Sequence, residues 1–386
     1  MEAALNPKFL GMPNHLENLK IVWWIDNLRT GGAQQDVCRF VQDFALSGAR
    51  QSLICFAEKG NESFISQIEA TGTRVYKIKK KKIFLFFGLV TIWNILRRDS
   101  FDISITCLTG TDLFGSVLAW LINIPVRISS QVSSNRNYSR ITKTLLRYAL
   151  SKSTCIVLNS NTYRADVEEY ILPHIPIKVI NNGVAQETNL RLQTQKSLHQ
   201  TLGLSANIML IGCVSRLSPE KKIDDVIHAF SKLSKKTSHL VIVGDGKERA
   251  SLVRTAEFFG VDERVHFTGE VANVQDLYAS FSVFVLASSF EGMSNSLLEA
   301  MSNGCPVVVS HVDGNRELVQ HRDTGLFFEP GNIEQLKEML SVMLLDREFA
   351  KGCGERARAL VREKYSEEDQ FYNWSQLILR LHQSVR

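Results

Sequence analysis

Two glutamates flank a short polar turn and the start of a helix in residues 291–308, EGMSNSLLEAMSNGCPVV. Glu291 follows FSVFVLAS, an apolar run that predicts a buried strand, and Glu299 lies eight residues further on, within the predicted helix NSLLEAMSNG. Eight helical steps would separate the carboxylates by roughly 12 Å, whereas the acid and nucleophile of a retaining glycosidase are roughly 5 Å apart. The glutamates are therefore not a glycosidase pair. They suit the two ends of a longer ligand, such as a nucleotide diphosphate with a group attached, whose anion would meet the amides at the helix start.

A second group of candidate residues lies in GCVSRLSPEKKIDDVIHAF, where a predicted strand ends at Arg216 and a helix begins near Lys222. A proline turn separates Arg216 from Lys221, so a guanidinium fork and an ammonium point charge can reach one ligand. With the partial positive charge of a helix N-terminus, the two side chains can neutralise a diphosphate. The sequence holds no Asp-x-Asp pair and no His or Cys spacing typical of a metal site. We therefore predict a diphosphate site with no metal ion and no cofactor.

Two glycine pairs also follow predicted strands, and each is a weak signal. In WWIDNLRTGGAQQDVCRF, Gly31 and Gly32 precede a helix, and glycines permit both positive φ and close approach of a ligand to the backbone. In VIVGDGKER, Gly244 and Gly246 lack the third glycine of a dinucleotide fingerprint, so we expect a turn and not a nicotinamide site. A structural interpretation stays open for the charged candidates, since the glutamates could form a solvated helix face and a cap, and the basic residues a surface pair.

Short β-rich runs alternate with longer amphipathic segments along the chain, a pattern typical of βαβ units on parallel sheets. The first half predicts strands at KIVWWID, QSLICF, RVYKI, FDISITCL, PVRIS, STCIVLN and IKVINN. After a polar break at residues 181–207, the second half predicts strands at IMLIGCVS, HLVIVG, RVHFTG, VFVLAS and PVVVS. The segment SEEDQFYNWSQLILRLHQ predicts a final helix with one apolar face.

Length and composition restrict the class of protein. A chain of 386 residues exceeds the usual size of one core, so we expect two domains of similar size. Its net charge of +5 is too small to indicate a nucleic-acid partner. Seven scattered cysteines without a C-x-x-C pair indicate buried thiols in a reducing compartment. With no visible secretory signal, and with the longest apolar run, residues 83–93, too short to span a bilayer, we expect a cytoplasmic location.

Taken in order, these segments resemble the retaining glycosyltransferases of the GT-B fold that carry an E-x7-E motif, in glycosyltransferase group 1, family four. GGAQ is similar to the family's N-terminal glycine loop, VINNGV to its interdomain turn and VSRLSPEKKIDDVIHAF to its phosphate-binding segment. LVIVGDGKERASL, VHFTGEV and ASSFEGMSNSLLEAMSNGCPVVVS follow in the family's order. Each motif is loose by itself, but the ordered set is specific and covers most of the chain. The resemblance implies an α/β fold of two Rossmann-like domains whose parallel sheets face a central cleft.

The resemblance also implies a division of the chain. Residues 1–182 would form an N-terminal Rossmann-like domain that binds the acceptor, and residues 183–365 a C-terminal Rossmann-like domain that binds the nucleotide sugar. Residues 366–386 would form a C-terminal helix that packs back on the N-terminal domain.

Residue roles follow from the same resemblance. It implies that Arg216 and Lys221 hold the diphosphate, and that Glu299 binds the ribose hydroxyls. Glu291, the predicted catalytic residue, would bind the donor sugar. The resemblance assigns further donor contacts, partly through backbone amides, to Gly31, Gly32, Gly292, Met293, Ser294, Asn295 and Ser296. Transfer in this family keeps the anomeric configuration by a front-face route in which the departing phosphate takes the acceptor's proton, and stabilising charge on the leaving diphosphate would be the protein's main task.

The sequence departs from the family pattern at two points. Lys222 stands where a glycine usually follows the phosphate-binding lysine, which is expected to alter that turn slightly. The loop RISSQVSSNRNYSR has no histidine, although many members carry one there near the reacting sugar. We therefore assign no residue to acceptor-side catalysis.

One segment, KIKKKKIFLFFG, concentrates positive charge directly before apolar residues. This combination is found in segments that lie on anionic membranes, and it is equally consistent with a solvated loop followed by a core helix. The residues of this predicted membrane patch are Lys77, Lys79, Lys80, Lys81, Lys82, Phe84, Phe86 and Phe87.

The sequence thus predicts a metal-independent hexosyltransferase that moves a sugar from a UDP- or GDP-sugar to a glycan or lipid-linked acceptor, in cell-surface polysaccharide biosynthesis. It would be cytoplasmic or peripheral on the inner face of the plasma membrane. Two alternatives remain open at this point. A nucleotide-sugar epimerase of the same fold would convert the donor without an acceptor, and a catalytically idle subunit would only bind a nucleotide sugar or a partner.

Overall fold

The computed structural model describes residues 16–29, 31–57, 61–78, 84–131, 138–169, 171–185, 198–233, 238–271 and 274–385, with backbone alone for residues 84–87. Contacts between Cα atoms divide the chain into two compact units. The N-terminal unit comprises Met1–Asn181 together with Glu368–Arg386, and the C-terminal unit comprises Asn182–Glu367. Each unit is built around its own sheet.

The described part of the N-terminal unit contains a parallel sheet in the order β3-β2-β1-β4-β5-β6-β7. Apolar side chains fill the strands because helices cover both faces of a parallel sheet. The two tryptophans of β1, Trp23 and Trp24, are fully buried on its opposite faces. The strands are β1 Lys20–Ile25, β2 Arg50–Cys55, β3 Arg74–Lys77, β4 Ile103–Cys107, β5 Val126–Gln131, β6 Cys155–Leu158 and β7 Ile177–Val179.

The helices of this unit include the last helix of the chain. Trp374 of α16 packs against Phe40 of α1 with ring centroids 5.6 Å apart, and Phe371 packs against Phe44 at 5.0 Å. The helices are α1 Gly32–Leu46, α2 Glu62–Glu69, α3 Phe84–Asp99, α4 Thr109–Thr111, α5 Val117–Leu121, α6 Arg140–Leu150, α7 Arg164–Glu168 and α16 Glu367–Ser384, with a π-helical turn at Asp112–Ser116 and a 3-10 turn at Asn161–Tyr163.

The described part of the C-terminal unit contains a second parallel sheet, in the order β10-β9-β8-β11-β12-β13. Its strands are β8 Met209–Val214, β9 Ser238–Val243, β10 Val265–Gly269, β11 Val283–Leu286, β12 Val307–Ser310 and β13 Leu326–Phe328. Its helices are α8 Leu198–Thr201, α9 Ile223–Ser231, α10 Arg249–Phe258, α11 Gln275–Tyr278, α12 Asn295–Ser302, α13 Asp313–Leu318, α14 Ile333–Leu345 and α15 Arg347–Lys364, with 3-10 turns at Pro219–Lys221 and Asp262–Arg264.

Strand order brings the two charged motifs of the sequence to neighbouring positions. β8 and β11 are paired, with Ile211 opposite Val283 and Gly212 opposite Phe284. Because parallel strands end at the same edge of a sheet, the loops that follow β8 and β11 emerge side by side, where open α/β sheets bind ligands. These loops carry the two predicted charged segments.

Two expectations about burial can be compared with the structure. All seven cysteines are free and buried, which confirms the predicted burial of these thiols. Among the described residues, no helix combines the length and apolar character needed to cross a membrane. Helix α3, which begins in the longest apolar run, packs Ile92, Ile95 and Leu96 into the core.

Candidate functional site

The predicted phosphate-binding segment and the predicted sugar-binding carboxylate are in direct contact. The ammonium group of Lys221 donates to the Glu291 carboxylate, with 2.6 Å between Nζ and Oε1. Both side chains are largely removed from water, with 18% of Lys221 and 10% of Glu291 exposed. An ion pair this short and this buried contributes more to stability than a surface ion pair does, since solvent screens it less. Two segments that are 70 positions apart in the sequence are thereby held together.

Buried polar side chains hold this pair in place through a chain of hydrogen bonds. Ser288, two residues after β11, donates its hydroxyl to the same Glu291 oxygen at 2.6 Å. The hydroxyl of Ser310 donates to the backbone carbonyl of Ser288 at 2.6 Å, and Asn315 donates to the carbonyl of Ser310 at 2.9 Å. All three are buried. The chain of hydrogen bonds fixes Glu291, and through it Lys221, relative to the edge of the sheet.

Arg216 lies two residues beyond β8 and is much more open than Lys221. Its side chain is 73% exposed, and its guanidinium is 3.4 Å from Glu220. Glu220 also accepts a hydrogen bond of 2.6 Å from Ser218. Partial burial acts to raise the pKa of Glu220, but the bond from Ser218 and the charges of Arg216 and Lys221 outweigh it and hold this pKa below its ordinary value. An ionised Glu220 thus orients Arg216 without removing it from solvent.

The turn that carries Lys221 ends in an unusual conformation. Lys222 has φ 49° and ψ 42°, in the left-handed region, between the 3-10 turn Pro219–Lys221 and helix α9. Glycine adopts this conformation without the clash that a Cβ causes. The departure noted in the sequence therefore leaves the turn in a glycine-type conformation, occupied here by a lysine at a cost in stability.

The loop containing Gly244 and Gly246 supports the same segment. A Cβ on Gly246 would lie 2.2 Å from the backbone oxygen of Leu217, so only glycine fits there. Gly244 has φ +123°, another conformation that favours glycine. The N–H of Leu217 donates to the carbonyl of Asp245 at 3.0 Å. The two glycines thus allow a turn that packs against the Arg216 loop, as the sequence predicts for a turn.

The start of α12 is held by side chains on both sides. Ser294 caps the helix by accepting from the N–H of Leu297 at 3.4 Å. Asn182 donates its amide to the Asn295 side chain at 2.6 Å and its backbone N–H to the sulfur of Met293 at 3.1 Å. The first N–H groups of a helix lack intrahelical acceptors and carry partial positive charge. This helix start, at the end of the Glu291 loop, is suited to an anion.

Helix α13 packs directly on the backbone that follows β11. A Cβ on Gly314 would stand 1.8 Å from the carbonyl oxygen of Gly292 and 2.4 Å from that of Glu291. The absence of a side chain at Gly314 therefore lets α13 define the position of the Glu291 loop. Sequence periodicity gives no signal for this contact.

Glu299 lies on α12 and accepts a hydrogen bond of 2.8 Å from the hydroxyl of Tyr278. Burial raises the pKa of Tyr278 well above its ordinary value, and the neighbouring Glu299 raises it further. Tyr278 is therefore a neutral donor throughout the physiological pH range. It holds the Glu299 carboxylate in a fixed direction.

Gly31 and Gly32 belong to the N-terminal unit, at the start of α1. Neither glycine adopts the positive φ that this residue type permits. Gly31 has φ 172°, which is extended backbone, and Gly32 is the first residue of the helix. A Cβ on Gly31 would meet the Gln34 side chain at 2.5 Å. The pair therefore marks a helix start, and its contact with a ligand stays a prediction.

Sequence reasoning missed a second polar cluster, at the carboxyl edge of the N-terminal sheet. Asp112, in the π-helical turn, is fully buried and accepts hydrogen bonds from Thr106, Ser129 and Gln131. Burial raises the pKa of Asp112 to about 7, and the negative charge of Asp26 adds to this, although the three donors act in the opposite direction. The cluster's only sequence signal is one aspartate after an apolar strand. That signal has no periodicity.

We call Arg216, Lys221, Glu291, Glu299 and the start of α12 the C-terminal cluster. It comprises two cationic groups, a helix start and two oriented carboxylates. Cations and helix amides bind anions such as phosphate, and carboxylates accept from sugar hydroxyls. Among the described residues, no group of three His, Cys, Asp or Glu side chains could hold a metal ion. The arrangement can therefore bind a ligand that has both phosphate and hydroxyl groups.

Comparison with protein families gives two matches, one for each half of the chain. Residues 30–188 match the model described as "Glycosyltransferase Family 4". Residues 195–360 match the model described as "Glycosyl transferases group 1". The second match includes every charged residue of the C-terminal cluster.

Two relatives illustrate the range of similar proteins. The chain is 28% identical over 225 residues to the N-acetyl-alpha-D-glucosaminyl L-malate synthase of Bacillus anthracis, covering 58% of this chain and 59% of that protein. It is 26% identical over 260 residues to the UDP-Gal:alpha-D-GlcNAc-diphosphoundecaprenol alpha-1,3-galactosyltransferase of Escherichia coli, covering 64% and 67%. The match therefore spans less than two thirds of the Bacillus protein's length.

A solved structure matches the fold over nearly the full length. The crystal structure of HepE from Anabaena in complex with UDP and glucose superposes with a TM-score of 0.83 at 19% identity. The superposition covers 94% of this chain and 99% of HepE.

Proposed function

Since the chain belongs to the glycosyltransferases of the GT-B fold, we propose that it transfers a sugar from a UDP- or GDP-sugar to a glycan or lipid-linked acceptor. The predicted membership of glycosyltransferase group 1 and family 4 and the predicted architecture of two parallel α/β sheets are confirmed. We propose further that transfer retains the anomeric configuration and needs no metal ion. In this proposal the C-terminal unit binds the donor and the N-terminal unit binds the acceptor.

The observation that supports this function most is the contact between Lys221 and Glu291. A site that cleaves a sugar from a diphosphate needs positive charge at the leaving group and a hydrogen-bond acceptor for the sugar hydroxyls. The two must be close enough to contact the same ligand. The pair provides both groups 2.6 Å apart and holds them in place through Ser288. One of the three Lys221 ammonium protons is directed at Glu291, and in this proposal the other two donate to phosphate oxygen.

Each predicted donor residue has a role in this proposal. Arg216 and Lys221 bind the diphosphate, together with the amides of Gly292 to Ser296. Glu291 binds the sugar, and Glu299 binds the ribose hydroxyls in the direction set by Tyr278. As the bond from the anomeric carbon to the diphosphate breaks, the new bond forms to the acceptor oxygen and the acceptor proton passes to the departing phosphate. Preorganised positive charge then stabilises the oxyanion that develops.

A lipid-linked acceptor, and with it a place in cell-surface polysaccharide synthesis, is the finer part of the proposal. The similar Escherichia coli protein is described as acting on a diphosphoundecaprenol acceptor, which supports a lipid carrier here. The enzyme would then work at the cytoplasmic face of the membrane. Of the predicted membrane patch, Lys77 is exposed at the end of β3, whereas Lys79 to Lys82 and the side chains of Phe84, Phe86 and Phe87 lie outside the described residues.

A panel of nucleotide sugars, screened by thermal unfolding, tests the donor. A ligand that binds only the native state raises the unfolding temperature by mass action, so one UDP- or GDP-sugar is expected to stabilise the protein more than the rest. That donor is then incubated with and without a membrane extract. Conversion only with the extract supports transfer, conversion without an acceptor indicates an epimerase, and binding without any turnover indicates an idle subunit.

Glu291→Gln tests the site within this assay. Glutamine keeps the shape, whereas Glu291→Ala would leave Lys221 as a buried unpaired charge, which costs roughly 3–5 kcal/mol. We expect the glutamine variant to fold normally and to lose most transfer. Glu334→Gln is the matched control, because Glu334 also pairs with a lysine of the same unit, Lys232 at 2.5 Å, but is 61% exposed. Equal transfer rates for the two variants would remove Glu291 from the site.

A further inference from the structure

Helix α6 presents an apolar stripe to solvent on the N-terminal unit. Ile141, Leu145 and Tyr148 are 74%, 56% and 54% exposed, and their spacing of four and three residues places them on one face of the helix. The opposite face buries Leu146 and Leu150 in the unit. The helix therefore has one apolar face that packs in the core and a second apolar face that is exposed to solvent.

The stripe continues onto the neighbouring helix α5. Trp120 and Leu121 are 40% and 48% exposed. The Lys152 ammonium lies over the Trp120 ring at 4.5 Å and over the Tyr148 ring at 4.7 Å, so the two aromatic rings are neighbours. We name four of these exposed apolar side chains the α6 patch, namely Ile141, Leu145, Tyr148 and Trp120. Exposed apolar groups that cluster in this way mark an interaction surface.

The charged residues of the α6 segment itself are all basic. Residues 138–152 contain four basic residues and no acidic residue. Arg140 and Arg147 are exposed beside the stripe. Lys143 is 3.7 Å from Glu169, and Lys152 covers the aromatic rings. Aliphatic residues, a Trp and Tyr pair, and flanking Lys and Arg are the composition of surfaces that lie in a bilayer interface.

The α6 patch adjoins the edge of the sheet at which this class of fold binds ligands. The hydroxyl of Tyr138, just before α6, donates to Thr109 at 3.2 Å, and Thr109 is the second residue after β4. Helix α6 also packs against the π-helical turn that carries Asp112. A surface to which the α6 patch attached would therefore lie one helix away from the carboxyl ends of β4 and β5, where ligands of open α/β sheets bind.

We propose that the α6 patch binds the surface of a lipid bilayer rich in anionic headgroups. The apolar side chains enter the headgroup boundary while Arg140, Arg147 and Lys152 contact lipid phosphates. This inference rests on the proposed function in one respect, that a lipid-linked acceptor would be delivered at the neighbouring sheet edge. A second copy of the chain is a poorer occupant, because a two-fold contact through the patch would place these basic residues against each other.

Vesicle sedimentation with the full-length protein tests the proposal. The wild type is expected to bind vesicles of phosphatidylcholine with phosphatidylglycerol, and to bind pure phosphatidylcholine weakly. Leu145→Ser combined with Tyr148→Ser is expected to lower the partition coefficient by about tenfold or more, since both changes remove apolar area that enters the interface. The matched control is Phe258→Ser with Leu345→Ser, which alters side chains 83% and 80% exposed on the C-terminal unit and should leave binding unchanged.

Charge is tested in the same assay. Arg140→Gln with Arg147→Gln should remove most of the preference for phosphatidylglycerol, whereas Arg254→Gln with Arg347→Gln, two exposed arginines of the C-terminal unit, should retain it. The fluorescence of Trp120 provides a local reading, because brominated lipids should quench it in the wild type and not in Trp120→Phe.

Three results would overturn the proposal: a wild type that does not bind anionic vesicles, patch variants that bind as well as the wild type, or patch variants that instead convert a dimer into a monomer by light scattering. None of these results depends on turnover. If transfer to a water-soluble acceptor analogue is found while vesicle binding is absent, the α6 patch proposal fails and the proposed function stands. If vesicles bind through the α6 patch while no nucleotide sugar binds, the proposed function fails and the α6 patch proposal stands.

Discussion

Asp112 makes the stability of the N-terminal unit depend on pH in an unusual direction. Its buried carboxyl has a pKa of about 7, above the ordinary value of 3.8. The folded unit therefore binds this proton more tightly than the unfolded chain does. Linkage then requires the free energy of unfolding to fall as the pH rises from about 4 to about 7, because the native state must ionise a buried acid. We predict that Asp112→Asn removes this decline.

The size of the effect follows from the two pKa values. The difference between 3.8 and about 7 corresponds to about 4 kcal/mol, most of it already present at pH 7. Asparagine stays neutral at every pH and can keep the bonds from Thr106 and Ser129 through its oxygen. Its amide would face the donor group of Gln131, but rotation of the Gln131 amide turns an oxygen toward it. Relative to the wild type, the variant should gain stability between pH 5 and about pH 7, and the gain should level off toward pH 8.

Urea unfolding followed by tryptophan fluorescence measures this directly. All five tryptophans lie in the N-terminal unit, so the signal reports that unit alone. Asp99→Asn is a control of opposite sign, since the hydrogen bond from Arg98 lowers the pKa of Asp99. That variant should lose stability near neutral pH, with the loss disappearing as the pH falls through the lowered pKa. Parallel stability curves for Asp112→Asn and the wild type from pH 5 to pH 8 would refute the reasoning.

Two further predictions concern the backbone of the C-terminal cluster. Gly314→Ala should destabilise the protein by roughly 1–3 kcal/mol and weaken donor binding, because its Cβ would meet the carbonyl of Gly292 at 1.8 Å. Gly352→Ala is the control, since its Cβ would meet only the flexible end of an arginine side chain. This control should lower neither the denaturation midpoint nor the donor affinity. Lys222→Gly should raise stability by about 1 kcal/mol, since Lys222 has φ 49°, with donor affinity unchanged; a lower midpoint in urea would show that the lysine side chain stabilises the turn by another route.

The elements predicted from sequence alone were those with a strong local signal. Strands such as β1 and β11 are apolar runs bounded by turn residues, and a parallel sheet requires no other pattern. Strand β13, Leu326–Phe328, was not predicted, because three residues give no periodicity. Its pairing with β12 is set by tertiary contacts.

In the candidate site, too, the sequence revealed the residues with a strong local signal and not those without one. The ends of β8 and β11 carry charged residues that sequence identified, and their contact through Lys221 and Glu291 follows from the strand order. Ser310 and Asn315 were missed, because a buried serine or asparagine after a strand looks like a turn residue until its distant partner is known. The extended conformation of Gly31 could not be predicted, since a glycine pair signals freedom of φ and does not reveal which value is adopted.

The central claim is that the cationic groups of the C-terminal unit bind a diphosphate. Calorimetric measurement of nucleotide binding tests this claim most directly. We predict that the wild type binds the nucleoside diphosphate of its donor about tenfold or more tightly than the monophosphate, since each charge-assisted hydrogen bond contributes roughly 1.5–3 kcal/mol. Arg216→Ala should abolish most of this difference while leaving the monophosphate affinity nearly unchanged. Equal affinities for the two nucleotides in the wild type, or an undiminished difference in Arg216→Ala, would contradict it.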